Sequence, residues 1–470
     1  MANESYTGGM PFDESATAGL AEPHAPAVVA LSAARAVHSK EVVSARIPQW
    51  QEWRDTAHRI KAYTIAHLDR LLVQFEREIS ARGGKVLWAE DAQQANSLIV
   101  DLARARGVRT VVKAKSMATE EIGLNHALEA AGVKSMETDL GEYIVQLAGQ
   151  RPSHIIGPAM HMSAADVGKL FADKLGMPYT EVPEELLAEA RKRLRRDYLE
   201  AQMGVSGVNF AVADNGMLVV VENEGNGGLS MAAPPIHVAV MGIEKLIPRM
   251  ADLPVFLNVL ARSGTGQQLS TYTHLIHGAV PPRELVVVLL DNGRTRILAD
   301  RASRQSLYCI RCGACLNVCP VYRRAGGWAY GWAYPGPIGA VTTPHLVPLQ
   351  LSGELPFASS LCGACQEACP VKIDIPHQLL HLRHKAVTEP SPMRSWSERW
   401  LWRMWAWGMT GRRRYGLLTW LALRIGLPLA RRSPWKPGKA GKWLRAWERG
   451  RELPEVPKQS FKAWWRGRKP

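Results

Sequence analysis

Residues 85–137 read KVLWAEDAQQANSLIVDLARARGVRTVVKAKSMATEEIGLNHALEAAGVKSME, and their rhythm decides the fold class. Residues 85–88 form a short strand. Asp91 is an N-cap for a helix through Ala105, which Gly107 stops. The next strand covers 108–113. Thr119 is the N-cap of the helix after it, although Ile122 stands where a capping box needs Glu or Gln. Glu120 and Glu121 fall in the first turn, where they suit the helix dipole. Gly132 ends that helix, and a strand over 133–137 follows. Strands alternating with helices of about ten to fifteen residues predict parallel βαβ units.

Upstream, residues 48–82 carry a helical pattern, with Ile60, Tyr63, Leu68, Leu71, Leu72 and Phe75 among charges, until Gly83-Gly84 stops it. Residues 1–47 are rich in Ala, Ser, Gly and Pro and read as a flexible lead. Downstream, strands over 208–213 and 217–222 flank Asp214-Asn215-Gly216, a hairpin signal because Asn and Gly accept positive φ. Further apolar strands cover 237–241 and 285–290. Residues 48–300 are therefore expected to form one α/β domain with a mixed sheet. Pro and Gly then gather at 325–348, as in an irregular connection.

All seven cysteines fall in two runs. Cys309, Cys312, Cys315 and Cys319, followed by Pro320, give C-x2-C-x2-C-x3-C-P, the spacing of bacterial-type [4Fe–4S] ferredoxins. Three thiolates of such a loop converge on one cluster, and the fourth points to a second. Cys362, Cys365, Cys369 and Pro370 repeat the template, with Ser359 at the first cysteine position. The first cluster is thus expected on Cys309, Cys312, Cys315 and Cys369. The second is expected on Cys319, Cys362 and Cys365, with Ser359 Oγ, water or a partner group as fourth ligand, or as a labile or three-iron form. Structural zinc would need four thiolate or imidazole ligands per site, and the C-P ending is no zinc-knuckle feature. The segment 301–390 is thus expected to be an α-helical, two-cluster ferredoxin-type domain for electron transfer.

Other chemistry is less specific. Lys115, between a strand and a helix, and Glu222 and Glu224, at a strand end beside Gly225 and Gly227, make a candidate site, since ligands gather at strand ends in α/β sheets. An ordinary βα turn and a solvated acidic turn are the plain readings of the same residues. Segments 206–209 and 263–267 offer backbone N–H groups to an anion but match no P-loop or dinucleotide fingerprint. His154, His161, His237, His274 and His277 are scattered without metal-ligand spacing.

The formal net charge of +15 is a property of one end. Residues 391–470 hold 20 Lys and Arg against 4 Asp and Glu, whereas the other 390 residues hold 38 against 39. The same segment carries 11 of the 16 tryptophans. It reads as a basic, helical, Trp-rich extension suited to self-packing, partner docking or peripheral membrane contact, with nucleic acid the least favoured. The N-terminus has no basic region and only a short apolar run broken by Ser32, so no signal peptide is expected. The apolar stretch 416–430 contains Arg424 and is too short to span a bilayer, which needs about 20 residues. A cytoplasmic place is expected, where cysteine clusters usually mean metal.

Several motifs resemble the lactate-utilisation (LUD) domain. They are Lys115-Ser116-Met117-Ala118-Thr119-Glu120-Glu121-Ile122, Glu137-Thr138-Asp139-Leu140-Gly141-Glu142, Gly207-Val208-Asn209-Phe210-Ala211, Val221-Glu222-Asn223-Glu224-Gly225-Asn226 and Pro234-Pro235-Ile236-His237. Followed by the two cysteine runs and an extension, the order resembles the iron–sulfur subunits of bacterial L-lactate oxidation systems. The resemblance implies a sheet similar to the ribose-5-phosphate isomerase and CoA-transferase-like group and two [4Fe–4S] clusters. It also implies partners, namely a LUD-only protein and a Cys-rich redox subunit. The implied activity is electron transfer during oxidation of L-lactate to pyruvate, with this chain a component of the oxidoreductase rather than its sole catalytic subunit. An acyl- or CoA-transferase using Glu222 or Glu224, with structural clusters, is the alternative.

Overall fold

The computed structural model describes residues 11–21, 25–389, 396–422, 424 and 461–468. It divides into two compact units, Met1–Met393 and Arg394–Pro470.

The first unit is built on ten strands in two sheets. They are β1 (Gly84–Ala89), β2 (Thr110–Lys113), β3 (Lys134–Glu137), β4 (Met203–Gly207), β5 (Phe210–Val212), β6 (Met217–Glu222), β7 (Ile236–Gly242), β8 (Leu246–Ile247), β9 (Tyr272–Ile276) and β10 (Glu284–Leu290). The six-stranded sheet, ordered β1-β10-β7-β4-β2-β3, is parallel throughout. The four-stranded sheet, ordered β8-β5-β6-β9, carries the antiparallel pairs. The expected mixed sheet is thus refined into two: the larger is wholly parallel, and only the smaller is mixed, with β5 and β8 parallel. The tight Asp214-Asn215-Gly216 turn folds β5 and β6 into an antiparallel hairpin at the centre of the smaller sheet.

Two-fold alternation along the central strands explains the layers. Val238 and Val240 on β7 and Val286, Val288 and Leu290 on β10 face a core with Ile99 and Leu128. Ala239, Met241, Val287 and Leu289 face the opposite core. Burial on both sides is what covered parallel sheets require. The second core continues without a break into Leu307, Tyr308, Cys312, Leu316 and Leu379. The α/β body and the cysteine-bearing segment share one interior.

Local capping follows the sequence with one correction. Asp91 accepts the Gln94 N–H at 2.8 Å and caps helix Ala92–Ala105. The helix expected to start at Thr119 is instead capped by Ser116, whose hydroxyl accepts the Thr119 N–H at 3.3 Å. Ser116 wins because Thr119 Oγ1 is already committed to Ser116 O and the Lys113 amine.

The expected flexible lead is also corrected. Helices Phe12–Ala21 and Ala25–Ala45 occupy it. Alanine-rich sequence forms helix readily, and Val29 and Ala33 bury against the rest of the unit. Helix Ala25–Ala45 lies on helices Ala314–Val318 and Pro320–Ala325 of the cysteine segment. Within 48–82, the helical pattern resolves into Trp50–Ala66 and Leu68–Ser80.

The second unit contains helices Trp396–Met409, Arg412–Leu421 and Phe461–Gly467. Trp396, Trp400, Trp402, Trp405 and Trp407 are all exposed. The rest of the expected Trp/Arg extension, including 425–460, lies outside the described residues. No helix among the described residues is long and apolar enough to cross a membrane.

Candidate functional site

The two cysteine runs adopt the same backbone. In the first, Arg311 and Gly313 have φ of 61° and 75°; in the second, Leu361 and Gly363 have 55° and 85°. Such left-handed residues turn the chain sharply, at a cost for the two non-glycines. Each loop then enters a five-residue helix, Ala314–Val318 or Ala364–Ala368. The turns aim backbone N–H groups at sulfur. Arg311 N–H donates to Cys309 Sγ at 3.4 Å, and Ile373 N–H donates to Cys369 Sγ at 3.4 Å. Ser359 keeps this pattern, since its Oγ accepts the Leu361 N–H at 3.1 Å. Its oxygen takes the place of the first sulfur of the other run.

The thiols group across the runs. Cys309, Cys312, Cys315 and Cys369 line one narrow cavity of about 20 Å3, walled by Ile155, Ile338, Val371 and Ile373. Cys312 lies in the electrostatic field of Cys309 and Cys369, and Cys319 in that of Cys362. Cys365 lies in the field of Cys319 and Cys362. Burial pushes Cys312 and Cys365 up to about 12, and Cys369 up to about 11. Exposed Cys362 differs, because N–H donation from Ala364 lowers it. Buried thiols with N–H donors at sulfur and an apolar wall fit a group that brings its own positive charge. Among the described residues, no three His, Cys, Asp or Glu side chains stand close enough to hold a single metal ion.

The second run is pinned from the N-terminal side. Arg54 donates to Cys369 O through Nε at 3.1 Å and Nη2 at 2.7 Å, and to Glu367 O at 2.7 Å. Lys40 Nζ donates to Ala368 O at 2.5 Å.

A second cavity, of about 210 Å3, opens where β2, β4 and β7 end. Lys115, Glu222 and Glu224 all line it, as do Gly207, Asn209, Gly264 and Thr265 from the two Gly-rich segments. Glu222 is fully engaged. It accepts the Gly227 and Gly228 N–H groups at 2.7 Å each, and His274 Nε2 lies 2.6 Å away. A carboxylate so held organises its own loop, which weighs against a nucleophile. Glu224 is exposed and bonds its neighbour Asn223 N–H at 3.0 Å. Of the scattered histidines, His237 Nε2 lies 2.8 Å from Ser206 Oγ, and His154 Nδ1 accepts two N–H groups of its own turn.

Sequence reading missed the ionic wall of this cavity. Arg294 clamps Glu121 through two contacts of 2.8 Å and reaches Glu244 at 2.5 Å. Tyr334 donates to Glu121 at 2.5 Å, and the Arg311 guanidinium stacks 4.1 Å over the Tyr334 ring. Burial alone would raise the Glu244 carboxyl, but Arg294 and Arg311 outweigh it and hold it at about 2. Lys245 follows Glu244; burial lowers its amine to about 8, although Glu244 works against that. Their signal was the end of strand β7, beyond the apolar run.

A third polar group lies inside the fold. Buried Lys113 binds Glu137 at 2.6 Å and Glu120 at 2.8 Å. Glu142 sits nearby with Oε1 unpartnered. Burial, reinforced by Glu120 and Glu137, raises its carboxyl well above the usual range.

This arrangement defines a protein with an α/β body and an iron–sulfur module sharing one core. Residues 72–294 match the LUD domain model, and 305–373 match the 4Fe-4S dicluster domain. Residues 381–470 match the C-terminal domain of lactate utilisation protein B.

The chain belongs to the lactate utilization protein B family. It is 41% identical over 430 residues to lactate utilization protein B of Bacillus cytotoxicus, covering 89% of each chain. It is 39% identical over 464 residues to that of Bacillus cereus strain AH820, covering 97% of each. A crystal structure of a duf162 family protein from Deinococcus radiodurans aligns with TM-score 0.25 at 14% identity, over 47% of this chain and 98% of that one.

Proposed function

We propose that the chain is the iron–sulfur electron-transfer subunit of a complex that oxidises L-lactate to pyruvate. The observation that carries this reading is that the last cysteine of each run lies with thiols of the other run. Cys369 lines the cavity of Cys309, Cys312 and Cys315, while Cys319 lies in the field of Cys362. Two-cluster ferredoxins exchange ligands in this way. On this reading Cys309, Cys312, Cys315 and Cys369 hold one [4Fe–4S] cluster. Cys319, Cys362 and Cys365 hold the second, with Ser359 Oγ as its fourth ligand.

Such clusters, when bound, accept and pass single electrons. The chain's own residues do the rest. They supply thiolates, aim N–H groups at sulfur, and exclude water from the first group with Ile155, Ile338 and Ile373. Oxidising lactate to pyruvate breaks its C2–H and O–H bonds, forms the C=O bond and releases two electrons and two protons, the electrons being what such clusters would carry onward one at a time. The proposed partners are a LUD-only protein and a Cys-rich redox subunit, in the cytoplasm. The basic extension 391–470 is proposed to make the peripheral contact with a partner or a membrane surface.

Anaerobic purification with and without the partner proteins tests the reading. Visible absorbance of the clusters should bleach on adding L-lactate only when the partners are present. A purified chain without iron and sulfide, or clusters that lactate never reduces in the full complex, would overturn it.

A further inference from the structure

The two cavities share a wall. Arg311 and Ile155 line both the cavity at the ends of β2, β4 and β7 and the one lined by Cys309, Cys312, Cys315 and Cys369. Arg311 therefore presents the loop between Cys309 and Cys312 to whatever enters the α/β body.

Its guanidinium is not fully used. The side chain is 9% exposed, its Nη2 lies 3.5 Å from Glu244, and its Nε and Nη1 are buried without a partner. A buried, unpaired guanidinium edge is costly, and a bidentate oxyanion is its natural complement. Lys245 lines the same cavity and has no hydrogen-bond partner among the described residues. Lys115 lines it as well, its amine donating to Ile156 O.

The carboxylates of the cavity are mostly engaged. Glu244 Oε2 is paired with Arg294 while its Oε1 faces Arg311 Nη2 at 3.5 Å without a hydrogen bond, and Glu222 is held by two backbone N–H groups and His274. Asp139 accepts the Glu142 N–H as a helix cap, and Glu224 is exposed. They leave the Lys245 amine and Arg311 Nε and Nη1 without a hydrogen-bond partner among the described residues, yet their charge penalises a dianion more than a monoanion. A cavity of about 210 Å3 is below the usual range of about 300–1,000 Å3 for drug-sized ligands and dinucleotides are larger still.

We propose that this cavity binds one small monocarboxylate, held by Lys245, Lys115 and the free edge of Arg311, against the wall it shares with the cysteine cavity. The site rests on the electron-transfer reading only for its purpose. It brings a 2-hydroxy or 2-oxo acid of the lactate and pyruvate class beside the loop that carries the first thiols. Ligand occupancy then bears directly on Arg311, and through it on the field at those thiols.

Calorimetric titration of the anaerobically prepared full-length protein tests this, with L-lactate, pyruvate and inorganic phosphate as probes. L-Lactate or pyruvate is expected to bind with one-to-one stoichiometry, and phosphate about tenfold or more weaker. Lys245→Gln should weaken carboxylate binding about tenfold or more, with iron and sulfide content unchanged. Lys115→Gln is the second variant and should act in the same direction. Carboxylate binding absent from the wild type, matched by phosphate, or undiminished in both variants would overturn the site. Iron and sulfide analysis of the same samples decides the electron-transfer reading separately, so the two failures are distinguishable.

Discussion

Ser359 makes the sharpest single-residue case. Its Oγ accepts the N–H that a cysteine Sγ accepts in the other run, so the position is already shaped for sulfur. Ser359→Cys should raise the iron and sulfide content of the anaerobic protein and slow its bleaching in air. Unchanged iron, sulfide and spin-resonance spectra would show that this position is not a ligand. Glu222→Gln tests a different role. Gln retains one acceptor for two N–H donors, so a loss of about 1–3 kcal/mol in unfolding free energy is expected. An unaltered stability together with abolished group transfer would instead favour the transferase reading. Glu142 gives a prediction of opposite sign. Its folded-state carboxyl is raised, so its contribution is present below the ordinary carboxylate value and fades as pH rises through the folded value. At neutral pH Glu142→Gln should therefore cost less than about 1 kcal/mol, measured by denaturant unfolding. A loss of several kcal/mol would mean the carboxylate is needed charged.

At the level of elements, helix Ala25–Ala45 and Arg54 hold the second cysteine run from outside it. Arg54→Ala frees Cys369 O and Glu367 O in a buried setting and should speed cluster loss in air, followed by the decay of visible absorbance. A decay rate equal to wild type would show the clamp to be idle. The strand-to-helix rhythm of 85–137 was legible because each element carries its own period and cap. The Asn-Gly turn was legible because it is chemistry within four residues. Strand β4 was missed because Gly204 and Ser206 interrupt its apolar pattern, and Gly204 exists to let Ser230 O approach. The N-terminal helices were missed because only Val29 and Ala33 of Ala25–Ala45 are buried, leaving no readable stripe. Strand β7 ends at Gly242, where a Cβ would strike the Glu244 carboxylate and the Arg294 guanidinium. Gly242→Ala should break that buried pair and lower stability by about 3–5 kcal/mol, read by thermal or denaturant unfolding.

Across the whole molecule, the dicluster-type cysteine runs were legible because their spacing is fixed along the chain. The ionic wall was not, since Glu121, Glu244, Arg294, Arg311 and Tyr334 meet only after the sheet and the cysteine segment close on one core. The same closure buries histidines. His154, His161, His237 and His345 are each lowered to about 4, in every case chiefly by burial. Between about 6.5 and 4 the unfolded chain binds protons that the folded one refuses, so their contribution is intact above about 6.5 and is lost as pH falls toward 4. Unfolding midpoints should accordingly drop from pH 7.5 to pH 5, and an unchanged midpoint would contradict these burials.

The clamp of Lys40 and Arg54 on the second run joins residues more than 300 positions apart. At about 5–20 residues per second, the ribosome needs roughly 15–60 s to make the intervening chain. The first helices to emerge must therefore wait for almost the last piece of the unit. Once the second run emerges, the cysteine loops stay open on the side these helices cover until the helices dock. Cofactor delivery has its natural opportunity then, and docking of the N-terminal helices becomes the step that seals what has been loaded.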